Sequence, residues 1–213
     1  IMANAVPEWL YADMGVLCAG GVSSGIYPTD SVAQVEYLLN DSRTKVLFVE
    51  DEEQLDKVLS ARGRCPTLEK IVIFDMDGLG GFNDPMAMSL GEFRALGRNH
   101  MSGRETLWDE MVGSRSADDL AILVYTSGTT GPPKGAMHSN KSVTHQMRNA
   151  DTLLVPTEHE ERLIFLPLCH VAERIGGYYL SIATGSIMNF AESPETVPDN
   201  IREVQPTTFL AVP

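Results

Sequence analysis

Short apolar stretches rich in β-branched and aromatic residues recur along the chain, each bounded by glycine, proline, aspartate or other turn residues. This pattern predicts seven strands, at 22–27, 45–49, 70–74, 120–125, 163–166, 186–190 and 207–212. Between most of them, apolar residues recur every three or four positions, which is the period of an amphipathic helix. Strands that alternate with helices pair in parallel through crossover connections. The predicted fold class is therefore α/β, a mostly parallel sheet with crossover helices on both faces.

Several helix starts can also be predicted. Ser31 and Gln34 have the spacing of a capping box, and Ser193 followed by Pro194 suits an N-cap and first turn of a helix that runs to about 204. The acidic run 50–53 favours a helix start because carboxylates there interact well with the helix dipole.

The stretch 76–118 breaks this alternation because it is rich in glycine and methionine. It has helical patches at 90–96 and 105–111. We expect an irregular excursion between strands, inside one partial domain that spans 1–213.

Charge excludes one class of function. The chain has 16 Lys and Arg against 29 Asp and Glu, a net charge of −13, which argues against a protein that binds nucleic acid through its phosphates. Any anionic ligand must then be bound by a local group of suitable residues. No apolar run reaches the length of a membrane-spanning helix, no basic and apolar leader opens the chain, and three cysteines without a CxxC pair suit reduced thiols. We expect a cytoplasmic protein without a transmembrane segment, and peripheral attachment to a membrane stays open.

The segment that follows the predicted strand 120–125 carries the chemistry. Within ten residues, 126–135 holds four hydroxyl side chains, three glycines and one lysine. Glycines let backbone N–H groups approach phosphate oxygens, hydroxyls donate to the same oxygens or bind Mg²⁺, and lysine adds a positive charge. This composition favours a polyphosphate-binding loop over a surface turn that only connects two elements.

Three better-known patterns do not fit. A Walker A loop needs glycine before the lysine and serine or threonine after it, but Pro133 and Gly135 flank Lys134. The glycines within 78–81 fail the dinucleotide pattern, and 21–25 matches GxSxG with the helix and strand in the reverse of the required order. The histidines also lack metal-binding spacing.

The segment 125–135 resembles the phosphate-loop signature of the adenylate-forming, AMP-binding superfamily, which includes acyl-CoA synthetases, luciferases and the adenylation domains of peptide synthetases. The segment 166–170, Leu-Pro-Leu-Cys-His, resembles the second core motif of that family. The stretches 25–29, 45–51 and 171–174 resemble its long-chain fatty acyl-CoA synthetase branch. The resemblance covers nearly the whole chain and implies part of the large N-terminal domain of such an enzyme.

The resemblance implies that a long-chain fatty acid is activated with ATP to an acyl-adenylate and then joined to the thiol of coenzyme A. Thr126 would contact Mg²⁺ and the nucleotide, and His170 would orient the carboxylate or the α-phosphate. The implied contacts of the β and γ phosphates are Ser127, Gly128, Thr129, Thr130, Gly131 and Lys134. Lys134 and His170 are the catalytic candidates, and ATP, Mg²⁺ and coenzyme A are the implied cofactors and co-substrate.

Each of these assignments has a structural alternative. Lys134 could stay exposed and only order the loop, and His170 could be a helix cap or a packed ring. Glu173 and Arg174 could form an ion pair near the site or a solvated pair on a helix. The helix predicted over 171–184 could line an acyl tunnel or simply pack in the core.

The later signatures of the superfamily do not occur in the sequence. We therefore expect an incomplete fragment of the enzyme that is inactive alone. A non-catalytic nucleotide-binding module is one alternative. An adenylating enzyme for aryl, medium-chain or amino acids is another, and the sequence does not indicate an oligomeric state.

Overall fold

The computed structural model describes residues 1–126, 131–154 and 159–211. The strands are β1 (Ser23–Ser24), β2 (Val46–Val49), β3 (Lys70–Ile73), β4 (Ala87–Ser89), β5 (Leu120–Thr126), β6 (Lys134–Ser139), β7 (Glu161–Ile164) and β8 (Ile187–Phe190). The α-helices are α1 (Pro7–Cys18), α2 (Val32–Asp41), α3 (Glu52–Ala61), α4 (Leu90–Met101), α5 (Leu107–Gly113), α6 (Asn140–Leu154), α7 (Leu180–Thr184) and α8 (Val197–Val204). Short 3₁₀ helices cover Arg62–Arg64 and Pro194–Thr196, and a π-helix covers Ala172–Tyr179. The predicted α/β class is confirmed.

The chain divides into two compact units. Unit 1 comprises Ile1–Asn4 and Tyr11–Arg115, and unit 2 comprises Ala5–Leu10 and Ser116–Pro213. The centre of unit 1 is a parallel sheet in the order β2, β3, β4, and α3 forms the crossover between β2 and β3. Apolar side chains of this sheet and of α2 and α3 are buried, as expected for a parallel sheet covered by helices.

The predicted helix starts of unit 1 are confirmed. Ser31 accepts a hydrogen bond from the Gln34 N–H at 3.3 Å, and the Gln34 side chain accepts from the Ser31 N–H at 2.9 Å, which completes the capping box of α2. Asp51, within the acidic run, accepts hydrogen bonds from the N–H groups of Glu53 and Gln54 and caps α3. Satisfied N–H groups at these ends stabilise the helices on either side of β2.

Unit 2 contains two kinds of strand pair. Strands β7 and β8 are parallel, and the π-helix and α7 form the connection between them. Strands β5 and β6 form an antiparallel hairpin instead. Trp9, Ile122, Ile164 and Tyr178 are among the side chains fully buried in this unit. Ser193 forms a capping box with Thr196 at the turn that leads into α8, as the Ser193–Pro194 pattern predicted.

The predicted strand boundaries need correction. Strands β4 and β6 were not predicted, and the predicted strand 22–27 is reduced to β1. Within the described part of 207–212 there is an isolated bridge between Thr208 and Arg162 rather than a strand. Strand β6 was missed because its sequence is largely polar, and pairing with β5 is what makes it a strand.

The stretch 76–118 contains more regular structure than an irregular excursion would. Helices α4 and α5 coincide with the two helical patches, and β4 precedes α4. No helix within the described ranges is long and apolar enough to cross a bilayer.

Candidate functional site

The described residues of the signature, 125–126 and 131–135, lie where β5 ends and β6 begins in an antiparallel hairpin. Thr126, the last residue of β5, is the cross-strand partner of Lys134, the first residue of β6. Tyr125 and Gly135 are the next pair. The predicted site residues Ser127, Gly128, Thr129 and Thr130 lie outside the described residues. The hairpin register therefore places the hydroxyl of Thr126 and the cation of Lys134 on neighbouring strands, at the two ends of the loop.

The described residues of this loop face solvent. Thr126, Gly131 and Lys134 are all exposed. Gly131 has φ of 97°, a region that residues with a Cβ rarely adopt, so this position requires glycine. A Cβ on Gly135 would lie 3.2 Å from Cζ of Tyr125, so glycine also lets the tyrosine ring cross the hairpin closely. Exposure of Lys134 suits both phosphate binding and the alternative in which it only orders the loop.

The sequence predicts that Thr126 contacts the Mg²⁺ that accompanies ATP. Magnesium bound to a nucleotide takes few ligands from the protein, and phosphates and water complete its octahedron. The Thr126 hydroxyl fits one such ligand. The described part of the chain contains no cluster of three His, Cys, Asp or Glu side chains that could hold a metal ion.

His170 is held by the segment that follows it. Its ring is exposed, and Nδ1 accepts a hydrogen bond from the backbone N–H of Ala172 at 3.2 Å. Because Nδ1 is the acceptor, the proton of the neutral ring lies on Nε2. The ring thus caps the start of the π-helix and presents Nε2 as a donor.

The capping alternative for His170 is therefore observed, and the packed-ring alternative is wrong because the ring is exposed. Capping occupies Nδ1 and a substrate contact would use Nε2, so the two roles are compatible. His170 and the hairpin both belong to unit 2. No hydrogen bond between described residues joins His170 to Thr126 or Lys134.

The solvated-pair alternative for Glu173 and Arg174 is wrong. Glu173 is 1% exposed and Arg174 is 0% exposed, because the π-helix lies in the core of unit 2. Arg174 donates from Nε to the Tyr179 hydroxyl at 3.1 Å, and its guanidinium carbon lies 5.0 Å from the ring centre of Trp9. Aromatic rings thus take the place of solvent around this cation.

The carboxyl of Glu173 has an unusual environment. Burial raises its pKa from 4.5 to about 7, and the positive charge of Arg162 opposes that rise. Burial has this effect because the charged form loses its hydration. The group that most favours ionisation of Glu173 is therefore Arg162 on β7, which the sequence did not single out.

Arg162 was missed, although a signal was present. It is a charged residue that opens the apolar run of β7, and it is 5% exposed. A buried arginine requires partners. Its Nη1 donates to the Gly176 carbonyl at 2.9 Å, and its Nη2 lies 3.3 Å from Glu160 Oε2. An arginine in a strand that otherwise predicts burial indicates such a polar cluster.

The aromatic residues of the predicted tunnel wall pack in the core. Tyr178 and Tyr179 are buried, and the Tyr178 hydroxyl donates to the Leu10 carbonyl at 3.2 Å. The Tyr178 ring meets Trp9 edge to face at 6.3 Å. Ile182 is 47% exposed. Core packing thus accounts for the two tyrosines, and Ile182 alone of these three is open to a ligand.

Known proteins resemble this chain along its whole length. Residues 1–213 match the family described as AMP-binding enzyme. The long-chain-fatty-acid–CoA ligase ACSBG2 of Homo sapiens is 32% identical over 212 residues, which cover 97% of this chain and 31% of that protein. The long-chain-fatty-acid–CoA ligase ACSBG1 of Rattus norvegicus is 30% identical over 217 residues, which cover 97% and 29%. The chain thus spans about three-tenths of the length of these curated relatives.

Solved structures share the fold. The anthranilate CoA ligase AuaEII, in complex with anthranoyl-AMP, matches 98% of this chain and 39% of its own, with a TM-score of 0.76 and 22% identity. ATP-bound MatB from Rhodopseudomonas palustris matches 95% of this chain and 37% of its own, with a TM-score of 0.66 and 18% identity. Identities this low indicate a common fold. The family match over all 213 residues confirms the predicted family, and this chain belongs to the AMP-binding enzymes.

Proposed function

We propose that this chain is part of a longer enzyme that activates a long-chain fatty acid with ATP to an acyl-adenylate and then forms its thioester with coenzyme A. The observation that carries the proposal is the similarity to two long-chain-fatty-acid–CoA ligases over 97% of the chain. The exposure of Thr126, Gly131 and Lys134 supports it, as does the composition of segment 126–135, which suits phosphate binding. In this proposal residues 1–213 form part of the N-terminal AMP-binding domain.

The chemistry explains why such a loop is needed. A carboxylate is a weak nucleophile facing a negatively charged triphosphate, so the enzyme must hold two anions together while one attacks the other. A chain of net charge −13 needs a local cation for this task, and Lys134 provides one at the loop. We assign Lys134, Gly131 and the loop residues Ser127, Gly128, Thr129 and Thr130 to the β and γ phosphates.

Thr126 and His170 have separate tasks. Thr126 would supply one oxygen to the Mg²⁺ that accompanies ATP, which screens the phosphate charge. His170 would donate from Nε2 to an oxygen of the fatty acid carboxylate or of the α-phosphate, with its Nδ1 held by Ala172. A fixed donor of this kind orients the attacking group and stabilises charge that develops on oxygen.

Coenzyme A would take the acyl group from the adenylate in the second step. We place the activity in the cytoplasm, where ATP and coenzyme A are available. The cysteines Cys18, Cys65 and Cys169 are thiols, which suits a reducing compartment.

Pyrophosphate release by the longer enzyme, measured with fatty acids of graded length and with aryl and amino acids, tests the proposal. We expect release that depends on the acid and is fastest with long-chain fatty acids, followed by acyl-CoA when coenzyme A is added. Release with aryl or amino acids alone would contradict the substrate assignment. ATP binding without release would favour a non-catalytic nucleotide-binding module.

A further inference from the structure

The carboxyl of Glu173 occupies space that exists only because residue 177 is glycine. A Cβ on Gly177 would overlap Oε1 of Glu173 and would lie 2.9 Å from its Cδ. The other oxygen, Oε2, has no hydrogen-bond partner among the described residues. A buried carboxyl with an unsatisfied oxygen is costly, and such a group needs an explanation beyond packing.

The helix around Glu173 is itself unusual. It is a π-helix of eight residues, Ala172–Tyr179, and π-helical turns are rare and concentrate at functional sites. The Gly176 carbonyl, in the middle of this helix, accepts the hydrogen bond from Arg162 Nη1. The bond ties the π-helix to β7, whose Leu163 and Ile164 are buried in the core of unit 2. The π-helix is thus tied to β7 by Arg162, and the close contact of Glu173 with Gly177 braces one turn of the helix internally.

His170 is connected directly to the first turn of this helix. The Ala172 N–H donates to His170 Nδ1, and the Arg174 N–H donates to the His170 carbonyl at 3.0 Å. Any change in the path of the first turn therefore moves both the ring and the backbone of His170. The direction of Nε2 depends on where Ala172 and Arg174 lie.

We propose that Glu173, Gly177, Gly176 and Arg162 form a unit, the Glu173 lock, that holds the π-helical turn and thereby directs His170 Nε2 at the reacting oxygens. The four are positioning residues, since they act through His170. This inference rests on the proposed function for its catalytic consequence, and on the hydrogen bond between Ala172 and His170 for its geometry.

Two substitutions of Glu173 separate shape from charge. Glu173→Gln keeps the length of the side chain, and Glu173→Asp keeps the carboxyl but is too short to reach the position beside Gly177. In the longer enzyme we expect Glu173→Asp to lower kcat for pyrophosphate release on the order of tenfold to 100-fold, as a misplaced group does. KM for ATP should stay within about twofold, because the contacts of the β and γ phosphates are assigned to the hairpin and are unchanged. Glu173→Gln should have a kcat close to that of the wild type. Glu203→Asp, on exposed α8, is the control and should leave both constants unchanged.

Amide hydrogen exchange of Ala172, followed by mass spectrometry, gives a readout that needs no catalysis. Glu173→Asp should speed exchange there because the Ala172 N–H loses its bond to His170, whereas Glu173→Gln should exchange like the wild type. Arg162→Lys keeps the positive charge but lacks the planar guanidinium that donates to the Gly176 carbonyl. This variant provides a second way to perturb the π-helix if Glu173→Asp does not fold. It should also speed exchange at Ala172.

The outcomes are distinguishable. Wild-type kcat together with wild-type exchange in Glu173→Asp, or an equal loss of kcat in Glu173→Gln, would overturn the lock. If the wild type itself releases no pyrophosphate with any acid, the proposed function fails. Exchange at Ala172 then decides the inference alone: faster exchange in Glu173→Asp supports the lock, and unchanged exchange overturns it.

Discussion

The β5–β6 hairpin and the π-helix after His170 place their charged side chains in opposite environments. The hairpin carries Lys134 at an exposed position, where water hydrates its charge. The π-helix encloses Glu173 and Arg174 in the core, where aromatic rings and Arg162 take the place of water. An exposed cation contributes little to folding and is available to a ligand, whereas a buried cluster fixes the position of its neighbours and makes stability depend on every member.

The largest effect is expected from Arg162→Ala. It would remove the donor to the Gly176 carbonyl, the ion-pair partner of Glu160, and the positive charge that opposes the rise in the pKa of Glu173. Breaking a buried pair of this kind costs roughly 3 to 5 kcal/mol in the free energy of unfolding. Urea unfolding measures the loss. Arg202→Ala is the matched control, because Arg202 pairs with Asp199 on the exposed surface and its removal should cost about 1 kcal/mol or less. An equal loss in the free energy of unfolding in both variants would contradict a structural role of Arg162.

A smaller effect, visible only through pH, is expected from Glu173→Gln. The raised pKa of Glu173 means that the folded wild type keeps its proton between pH 4.5 and about 7, while the unfolded chain releases it. Stability of the wild type therefore falls as pH rises through that window and levels off above it. The loss amounts to at most about 3 kcal/mol at 1.36 kcal/mol per pKa unit.

Glu173→Gln removes this loss because glutamine does not titrate. The free energy of unfolding is measured for the variant and the wild type at pH 4.5 and at pH 8. The difference between the two proteins at one pH is then compared with the difference at the other. Among the described residues, Arg162 on β7 is the charged group whose interaction with this carboxyl opposes the rise in its pKa. Glu203→Gln on exposed α8 should keep the pH dependence of the wild type. A difference for Glu173→Gln that does not change with pH would contradict the raised pKa.

The smallest effect on folding is expected at the hairpin. Lys134→Ala should change the free energy of unfolding by no more than about 0.5 kcal/mol, as for most exposed positions. A loss as large as that of Arg162→Ala would show that Lys134 serves the fold, and the contrast between the two regions would disappear.

Local signals explain which parts of the fold could be predicted. The caps at Ser31, Asp51 and Ser193 depend on residues three positions apart or fewer, so the sequence contains the complete pattern. Strand β6 depends on pairing with β5, and its own polar sequence does not indicate a strand. The apolar stretch 207–212 shows the reverse case, because its β propensity gives only a single bridge, from Thr208 to Arg162 of β7, within its described part.

The candidate site divides in the same way. The loop of the hairpin was predicted to bind phosphates from its composition of glycines, hydroxyls and a lysine, and that role stays a prediction. The π-helix and the burial of Glu173 could not be predicted, because π-helical turns are rare and no local sequence signal separates i to i+5 from i to i+4 bonds in so short a segment. The pair Gly176–Gly177 was visible, but its use as the space for a carboxyl depends on three-dimensional packing.

The measurement that tests the central claim most directly is pyrophosphate release by the longer enzyme, with ATP and a long-chain fatty acid, in the wild type, Lys134→Ala and Lys141→Ala. Lys141 is an exposed lysine on α6 of the same unit and controls for loss of surface charge. We predict that Lys134→Ala lowers release by roughly 100-fold, as the loss of one charge-stabilising group does, and that Lys141→Ala leaves it unchanged. Equal release by all three proteins would contradict the assignment of the β5–β6 hairpin to the phosphates of ATP.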